Sequence, residues 1–465
     1  MIDSHRLRFD YRHLHFIGIG GIGMSGLSEL MMNSGYIVSG SDLSPSPLTN
    51  RLASLGATIY EGHQADHITG ADLIIYTAAV STDNPELAAA RQQGILAVSR
   101  ADLLGTIVRR YHGIAVAGTH GKTTTSAMIG KILVDAELDP TIVLGGILPE
   151  SNSNIRIGSG KWMVVEADEY DRSFHTLFPM TAVITSIDGD HMEYYRTQSA
   201  IDEAFLIFTH LLPFDRPLIA CLDDPGVKRL VPAFRRRVTT YGTADEAYIQ
   251  ASNICLSGLN VSADILVGKK RMGILSLQRP GKYHILNALA AIAVADQLEI
   301  PVEQAIQSLA TYKGIKRRFE IKGSVQGVTV IDDYAHHPTE IQAVLEVLEG
   351  WKGRRLFLVF QPHLYSRTND LAEDFGRVLS HPKLHQCIVT DIFPSREAQM
   401  PGVTGKLIVD AAEAYGGRLD YIPDMNEVLE RVKQDLQPGD VLMTMGAGNI
   451  DRLGDAFIEA SQADI

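Results

Sequence analysis

The chain has 465 residues, 45% of them hydrophobic and 21% charged, with a formal net charge of −13. That length predicts about three domains of about 150 residues each, and the composition excludes a disordered or low-complexity chain. The acidic balance argues against a nucleic-acid partner, whose phosphate backbone demands a basic surface. Met1 to His15 mixes Asp3, Arg6, Arg8, Asp10 and Arg12 with apolar residues, so no signal peptide is expected there. No run approaches the roughly 18 apolar residues of a membrane span. Cys221, Cys255 and Cys387 are odd in number and far apart, which predicts reduced thiols in a cytoplasmic protein.

From about residue 13 to 107, strand and helix patterns alternate. His15-Phe16-Ile17 runs into Gly18-Ile19-Gly20-Gly21-Ile22-Gly23, then a helical stretch from Met24 to Asn33, then Tyr36-Ile37-Val38 ending at Ser41-Asp42. This is a dinucleotide-type fingerprint with an acid about 20 residues on. Physically it asks only that a diphosphate sit on a helix N-terminus, which UDP satisfies as well as NAD does. After the strand pattern Asp72 to Tyr76, the small-residue loop Thr77-Ala78-Ala79-Val80 reads equally as turn chemistry or as a ligand loop.

In the region of about 108 to 315, Ile114-Ala115-Val116-Ala117 precedes Gly118-Thr119-His120-Gly121-Lys122-Thr123-Thr124. Met128, Ile129, Ile132, Leu133 and Ala136 follow at helical spacing, so the order is strand, phosphate loop, helix. The general pattern places a glycine five residues before Gly121, where this chain has Val116. Backbone N–H groups of such a loop wrap a phosphate, and the helix N-terminus adds about half a positive charge. Lys122 is then expected at the β- and γ-phosphates, with Thr123 on Mg²⁺ or Mn²⁺.

Two further strand patterns in this region end in candidate ligands. Trp162-Met163-Val164-Val165 leads to Glu166-Ala167-Asp168-Glu169, and Ala182 to Ile187 leads to Asp188-Gly189-Asp190-His191. Ligands of open parallel sheets bind beyond the carboxyl ends of strands, so Glu166 and His191 read either as metal ligands converging with Thr123 or as a solvated strand-end acid and a capping or turn histidine, and a phosphate loop beside them favours the former. Short alternating strands between about 217 and 280 predict an antiparallel insertion, and Ile285 to Leu298 predicts a helix. Lys313-Gly314-Ile315-Lys316-Arg317-Arg318 reads as a solvated linker, or as a stretch whose arginines neutralise phosphate.

From about 316 the alternation resumes. Val328 to Ile331 ends at Asp332-Asp333-Tyr334, Leu356 to Phe360 at Gln361-Pro362-His363, and Val441 to Met445 at Gly446-Ala447-Gly448-Asn449. Cys387 to Thr390 is a further strand pattern, and Thr339 to Leu348 a helical one. The adjacent His336-His337 would diverge on a turn, and no metal pair is expected there.

Together these motifs resemble the ATP-dependent Mur ligases, and within them the alanine-adding branch. The resemblance rests on Gly18 to Gly23, Gly118 to Thr124, Glu166-Ala167-Asp168-Glu169, Asp190-His191-Met192, and Gly314 to Phe319. It continues through Asp332-Asp333-Tyr334-Ala335-His336-His337-Pro338, Phe360-Gln361-Pro362-His363 with Ser366-Arg367-Thr368, and Gly446-Ala447-Gly448-Asn449-Ile450.

The resemblance implies three α/β domains. These are an N-terminal Rossmann-like domain (1–107) for the UDP substrate, a central P-loop-type ATPase domain (108–315) with the antiparallel insertion, and a C-terminal Rossmann-like domain (316–465) for the amino acid. The implied reaction, in peptidoglycan precursor synthesis, joins L-alanine to the carboxylate of UDP-N-acetylmuramate through an acyl phosphate. The UDP substrate falls to Gly18, Gly20, Gly21, Gly23, Met24, Ser41, Asp42, Thr77 and Ala78. ATP falls to Gly118, Thr119, His120, Gly121, Lys122, Thr123, Thr124, Asn287, Arg318 and Asp332. The metal, Mg²⁺ or Mn²⁺, falls to Thr123, Glu166 and His191, catalysis to Lys122, Glu166 and His191, and the amino acid to Tyr334, His336, His363 and Arg367.

Rival readings are a ligase that recycles tripeptide, which shares Glu166 to Asp171, and an NAD-dependent dehydrogenase, which would leave the phosphate loop unexplained. Sister ligases carry a carbamylated lysine near the second metal. This chain has no lysine between Lys161 and Lys228, so a carbamate is not expected. Around Asn287 the family pattern is altered to Tyr283-His284-Ile285-Leu286-Asn287, which leaves Tyr283 and His284 without an implied role. Monomer and dimer remain open.

Overall fold

A computed structural model describes residue 7 and residues 9–189, 192–348, 351, 353–395 and 397–463. His191, expected on the metal, and its neighbour Asp190 lie outside the described residues.

The first apolar runs form a five-stranded sheet in the order Thr58–Glu61, Ile37–Asp42, His13–Ile17, Leu73–Tyr76, Leu96–Ser99. All four pairings are parallel. Leu14, Phe16 and Ile17 are fully buried, as strands covered by crossover helices on both faces must be. The strand order reverses beside His13–Ile17. The loops after it and after Leu73–Tyr76 therefore open into the crevice where such sheets bind ligands.

The second sheet has ten strands, with His112–Ala117 between Thr181–Ile184 and Trp162–Ala167, parallel to both. Leu218–Cys221 and Val238–Gly242 extend it in parallel, so the antiparallel part begins later than the expected position near 217. The reason lies in burial. Leu218, Ile219, Ala220 and Cys221 are all buried, a continuous apolar run suited to a covered parallel strand. Only Ile249–Ser257, Asn260–Val267 and Lys270–Leu277 follow one another through two-residue connections, which force antiparallel neighbours.

A third sheet, of six strands, runs Glu320–Val325, Val328–Asp333, Val441–Met445, Leu356–Phe360, Leu384–Val389, Leu419–Tyr421. Its first pair is an antiparallel hairpin and the rest are parallel.

The chain divides into two compact units. One runs to Ile254 and takes in Ser262–Leu277 and Ile285–Lys313; the other comprises Cys255–Val261, Gln278–His284 and the chain from Gly314 onward. In the first unit a single apolar core joins the first sheet to the second. Leu103, Leu104 and Ile107 of the helix Arg100–Val108 share it with Phe174, Leu177, Phe205 and Phe208. In the second unit His284 is a core residue. Its Nδ1 lies 2.7 Å from the Pro280 carbonyl, and burial lowers its pKa to about 4, so the ring is a neutral donor at pH 7.

The joint between the two sheets of the first unit is tight at Gly105, where a Cβ would collide with the Thr176 carbonyl. Thr176 cannot easily move, because its hydroxyl donates to Ala101 O at 2.9 Å. Gly105→Ala is expected to lower stability by about 1–3 kcal/mol in urea denaturation, as overpacking does.

Candidate active site

The first glycine loop is built by the end of the neighbouring strand. Gly18 N and Ile19 N donate to Ser41 O at 2.8 and 3.0 Å, and Gly20 N donates to Asp42 Oδ2 at 2.8 Å. Asp42 Oδ1 accepts from Leu43 N, so both oxygens of the acid serve backbone amides. Gly18 has φ +80, and a Cβ there would stand 2.9 Å from Thr77, which brings the Thr77-Ala78 loop beside the glycines. Gly21 is exposed at the start of the helix Ile22–Asn33, Gly23 lies beside Arg100, and Met24 is buried. The dipole and N–H groups of a helix start are chemically suited to an anion.

Ser41 is turned inward, fully buried, and its hydroxyl donates to Glu86 at 2.7 Å. Burial opposes the charge of Glu86, yet the neighbouring His15, 3.5 Å away, and the Ser41 hydroxyl hold its carboxyl below the usual range. His63 and His67 each approach that carboxylate at 3.0 Å. Sequence reading missed this cluster, because Glu86 and the histidines come from three separate segments with no shared spacing.

The second loop hangs between strand ends. Val116, which stands where the general pattern has glycine, is a fully buried strand residue paired with Glu166, and the chain turns only at Gly118. Gly118 (φ +141) leaves no room for a Cβ against Thr185, and Gly121 (φ +82) packs 2.7 Å from Asn287 Oδ1 by the same measure. Thr119 N donates to Ser186 O at 3.1 Å, His120 N to Ser186 Oγ at 2.9 Å, and Asp188 N to Thr119 Oγ1 at 2.9 Å. Asn287 supports the helix Lys122–Asp135 from beneath, accepting from Thr125 Oγ1 at 3.2 Å. The result is a rigid cradle whose glycines let backbone amides approach a phosphate.

Thr123 and Thr124 are buried in the first turn of that helix. Glu166, one strand away, accepts from Gly145 N at 2.6 Å. Hydroxyl and carboxylate oxygens are the hard donors that Mg²⁺ takes, so Thr123 and Glu166 fit such an ion chemically. Lys122 Nζ meets Gly118 O at 2.7 Å and Glu169 at 2.7 and 3.0 Å. Burial works to strip its proton, but Glu169, Asp168 and Glu166 together hold the ammonium above the ordinary lysine range.

In the second unit, Asp332, expected at ATP, is wholly buried; its carboxylate takes Arg317 Nε at 3.0 Å and Thr444 Oγ1 at 2.6 Å. Arg317 also donates to Gly448 O and Gly446 O at 2.8 and 2.6 Å. One of the two arginines offered for phosphate is thus a clasp on the Gly446–Asn449 loop. Arg318 lies 4.9 Å over the Tyr334 ring and 4.0 Å from Glu340. Burial pushes the Asp333 carboxyl up to about 6, with Arg318 opposing, and it caps the backbone at Phe319 and Ala335.

Tyr334, His336 and His363 come together, with ring centroids 5.3 Å apart for the first pair and 5.6 Å for the second. Arg367 is buried on the helix Tyr365–Asp370 that begins just after His363. His363 also stacks on Phe393 at 6.0 Å. The folded chain therefore builds one glycine loop at a helix start, a second glycine loop flanked by strand-end acids, and, in the second unit, a group of rings with Arg318 over one of them.

Three family models match successive stretches. They are Mur ligase family, catalytic domain (13–112), Mur ligase middle domain (116–295), and Mur ligase, glutamate ligase domain (317–448). The chain belongs to the Mur ligase family. The UDP-N-acetylmuramate–L-alanine ligase of Salinibacter ruber is 43% identical over 456 residues, covering 97% of this chain and 96% of its own. That of Desulfatibacillum aliphaticivorans is 42% identical over 447 residues, covering 96% and 98%. The crystal structure of the UDP-N-acetylmuramate–alanine ligase of Thermotoga maritima matches with a TM-score of 0.84 at 29% identity, over 98% of this chain and 100% of that one.

The Arg317 clasp has a direct test. Arg317→Met leaves the Asp332 carboxylate buried without its cation, and should cost about 3–5 kcal/mol in denaturant unfolding of the second unit.

Proposed function

We propose that this protein joins L-alanine to the carboxylate of UDP-N-acetylmuramate while ATP is converted to ADP and phosphate, in the building of a peptidoglycan precursor in the cytoplasm. The observation that carries the reading is the full-length likeness, 43% over 97% of the chain, to a ligase of that name. The proposal divides the work among residues 1–107 for the UDP substrate, 108–315 for ATP and 316–465 for alanine. No helix among the described residues is long and apolar enough to cross a membrane.

A carboxylate does not yield to an amine directly at neutral pH, since its leaving group would be oxide. Its oxygen therefore attacks the γ-phosphorus of ATP, ADP departs, and an acyl phosphate forms. The unprotonated alanine nitrogen then attacks the carbonyl carbon, and as the amide forms the nitrogen gives up a proton to solvent and inorganic phosphate leaves. Lys122 and the N-terminus of the helix Lys122–Asp135 meet the charge on the transferring group. Thr123, Glu166 and His191 would hold Mg²⁺, which neutralises phosphate charge when bound. The first glycine loop takes the diphosphate of the sugar nucleotide. Arg367 offers the alanine carboxylate a forked cation, and Tyr334, His336 and His363 enclose it.

Coupled phosphate release should require ATP, UDP-N-acetylmuramate and L-alanine together. Faster release with the recycled tripeptide than with alanine would overturn the choice of acceptor. Lys122→Ala should cut turnover to a small residual rate, on the order of a thousandth of the wild type, and leave binding of the UDP-sugar nearly intact by calorimetry. An equal loss of both would mean the two phosphate sites are not separate.

A further inference from the structure

One acid in the phosphate site has no task in the scheme above. Glu169 is only 3% exposed, yet it lies beyond the end of the strand Trp162–Ala167, where a chain-end acid would ordinarily face water. Its two oxygens lie 2.7 and 3.0 Å from Lys122 Nζ. The same ammonium meets Gly118 O at 2.7 Å and Thr119 O at 3.4 Å. Three hydrogens are thus directed by one carboxylate and by the loop's own carbonyls, and the side chain has one direction.

The backbone supports this placement at a cost. Asp171 and Arg172, two and three residues after Glu169, take φ values of +56 and +53, a left-handed conformation uncommon for such residues. Strain of about 1–3 kcal/mol per residue persists only where surrounding packing over-determines it. Here Arg172 N donates to Glu169 O at 3.0 Å, Phe174 N to Asp168 O at 3.0 Å, and the Tyr195 hydroxyl to Glu169 O. Phe174 in turn is fully buried against Phe205 and Phe208, with ring centroids 5.4 and 4.9 Å away. A strained turn anchored on an aromatic cluster aims one carboxylate at one ammonium.

We propose that Glu169 is a positioning residue for phosphoryl transfer: by gripping Lys122 through both carboxylate oxygens it sets the direction from which the ammonium meets the transferring phosphoryl group. The inference rests on the ATP-dependent reading above. A mere counter-ion for a buried lysine would serve stability and nucleotide affinity alike. A positioning residue affects the rate far more than the affinity, because a displacement of about 1 Å at the reacting centre costs on the order of a hundredfold.

The test uses the full-length enzyme and its Glu169→Gln, Glu169→Asp, Lys122→Met and doubly substituted (Lys122→Met with Glu169→Gln) forms. Phosphate release gives kcat, and calorimetry with a non-hydrolysable ATP analogue and Mg²⁺ gives affinity. Glu169→Gln is expected to lower kcat about a hundredfold while affinity stays within about threefold. Glu169→Asp should recover part of the rate. Adding Glu169→Gln to Lys122→Met should lower the residual rate no further, since the acid acts through the lysine. If Glu169→Gln does not fold at the assay temperature, the same comparison is made with Glu169→Asp. Parallel loss of rate and affinity, or additive loss in the Lys122→Met background, overturns the proposal. Wild-type enzyme that releases no phosphate from ATP overturns the parent reading instead. An active wild type with an unchanged Glu169→Gln rate overturns this inference alone.

Discussion

An ammonium buried at the mouth of a phosphate loop is the constraint on which the first unit depends. Withdrawal from water disfavours the charge on Lys122 that a nucleotide phosphate requires. The acids beyond the strand Trp162–Ala167 favour it instead, with Glu169 in contact and Asp168 and Glu166 nearby. Those acids are near because the strand is hydrogen-bonded directly to His112–Ala117, the strand that carries the loop. Sheet order, a matter of apolar burial, thereby decides the electrostatics of the site.

Strand adjacency does the same work in the first sheet. His13–Ile17 pairs on one side with the strand ending at Ser41-Asp42 and on the other with the strand ending at Tyr76. Its glycine loop is consequently shaped by Asp42 from one side and narrowed by Thr77 from the other. An acid at the place where dinucleotide-binding proteins hold a ribose is used here to fold the loop itself, with both oxygens on backbone amides. The fingerprint is the same, but its acid is committed to the backbone of the loop.

The second unit shows the opposite use of charge. Arg317 and Asp332 face one another where Asp332 has no solvent, and the guanidinium spends its remaining donors on two carbonyls of the Gly446–Asn449 loop. Gly446 and Gly448 leave no space for side chains against Gln361, so this loop and the one ending at His363 close on each other. A buried ion pair specifies geometry here, holding the strand ends that bear Tyr334 and His363.

The sequence by itself determined the alternation of strands and helices, both glycine loops and the acids at strand ends, because these depend on local periodicity and on backbone freedom at glycine. It carried the family through motifs spread over nearly the whole chain. Tertiary structure decided which of four neighbouring residues, Glu166 to Glu169, turns toward Lys122, since that rests on a strained turn held by Phe174 and its distant partners. It made Arg317 a clasp rather than a phosphate ligand, gave His284 a place in the core, and brought Glu86 to Ser41 and two histidines. A carboxylate or a guanidinium looks the same in a sequence whether it faces water, substrate or another charge. Only the packed chain settles which of these it meets, because burial sets the energy of each choice.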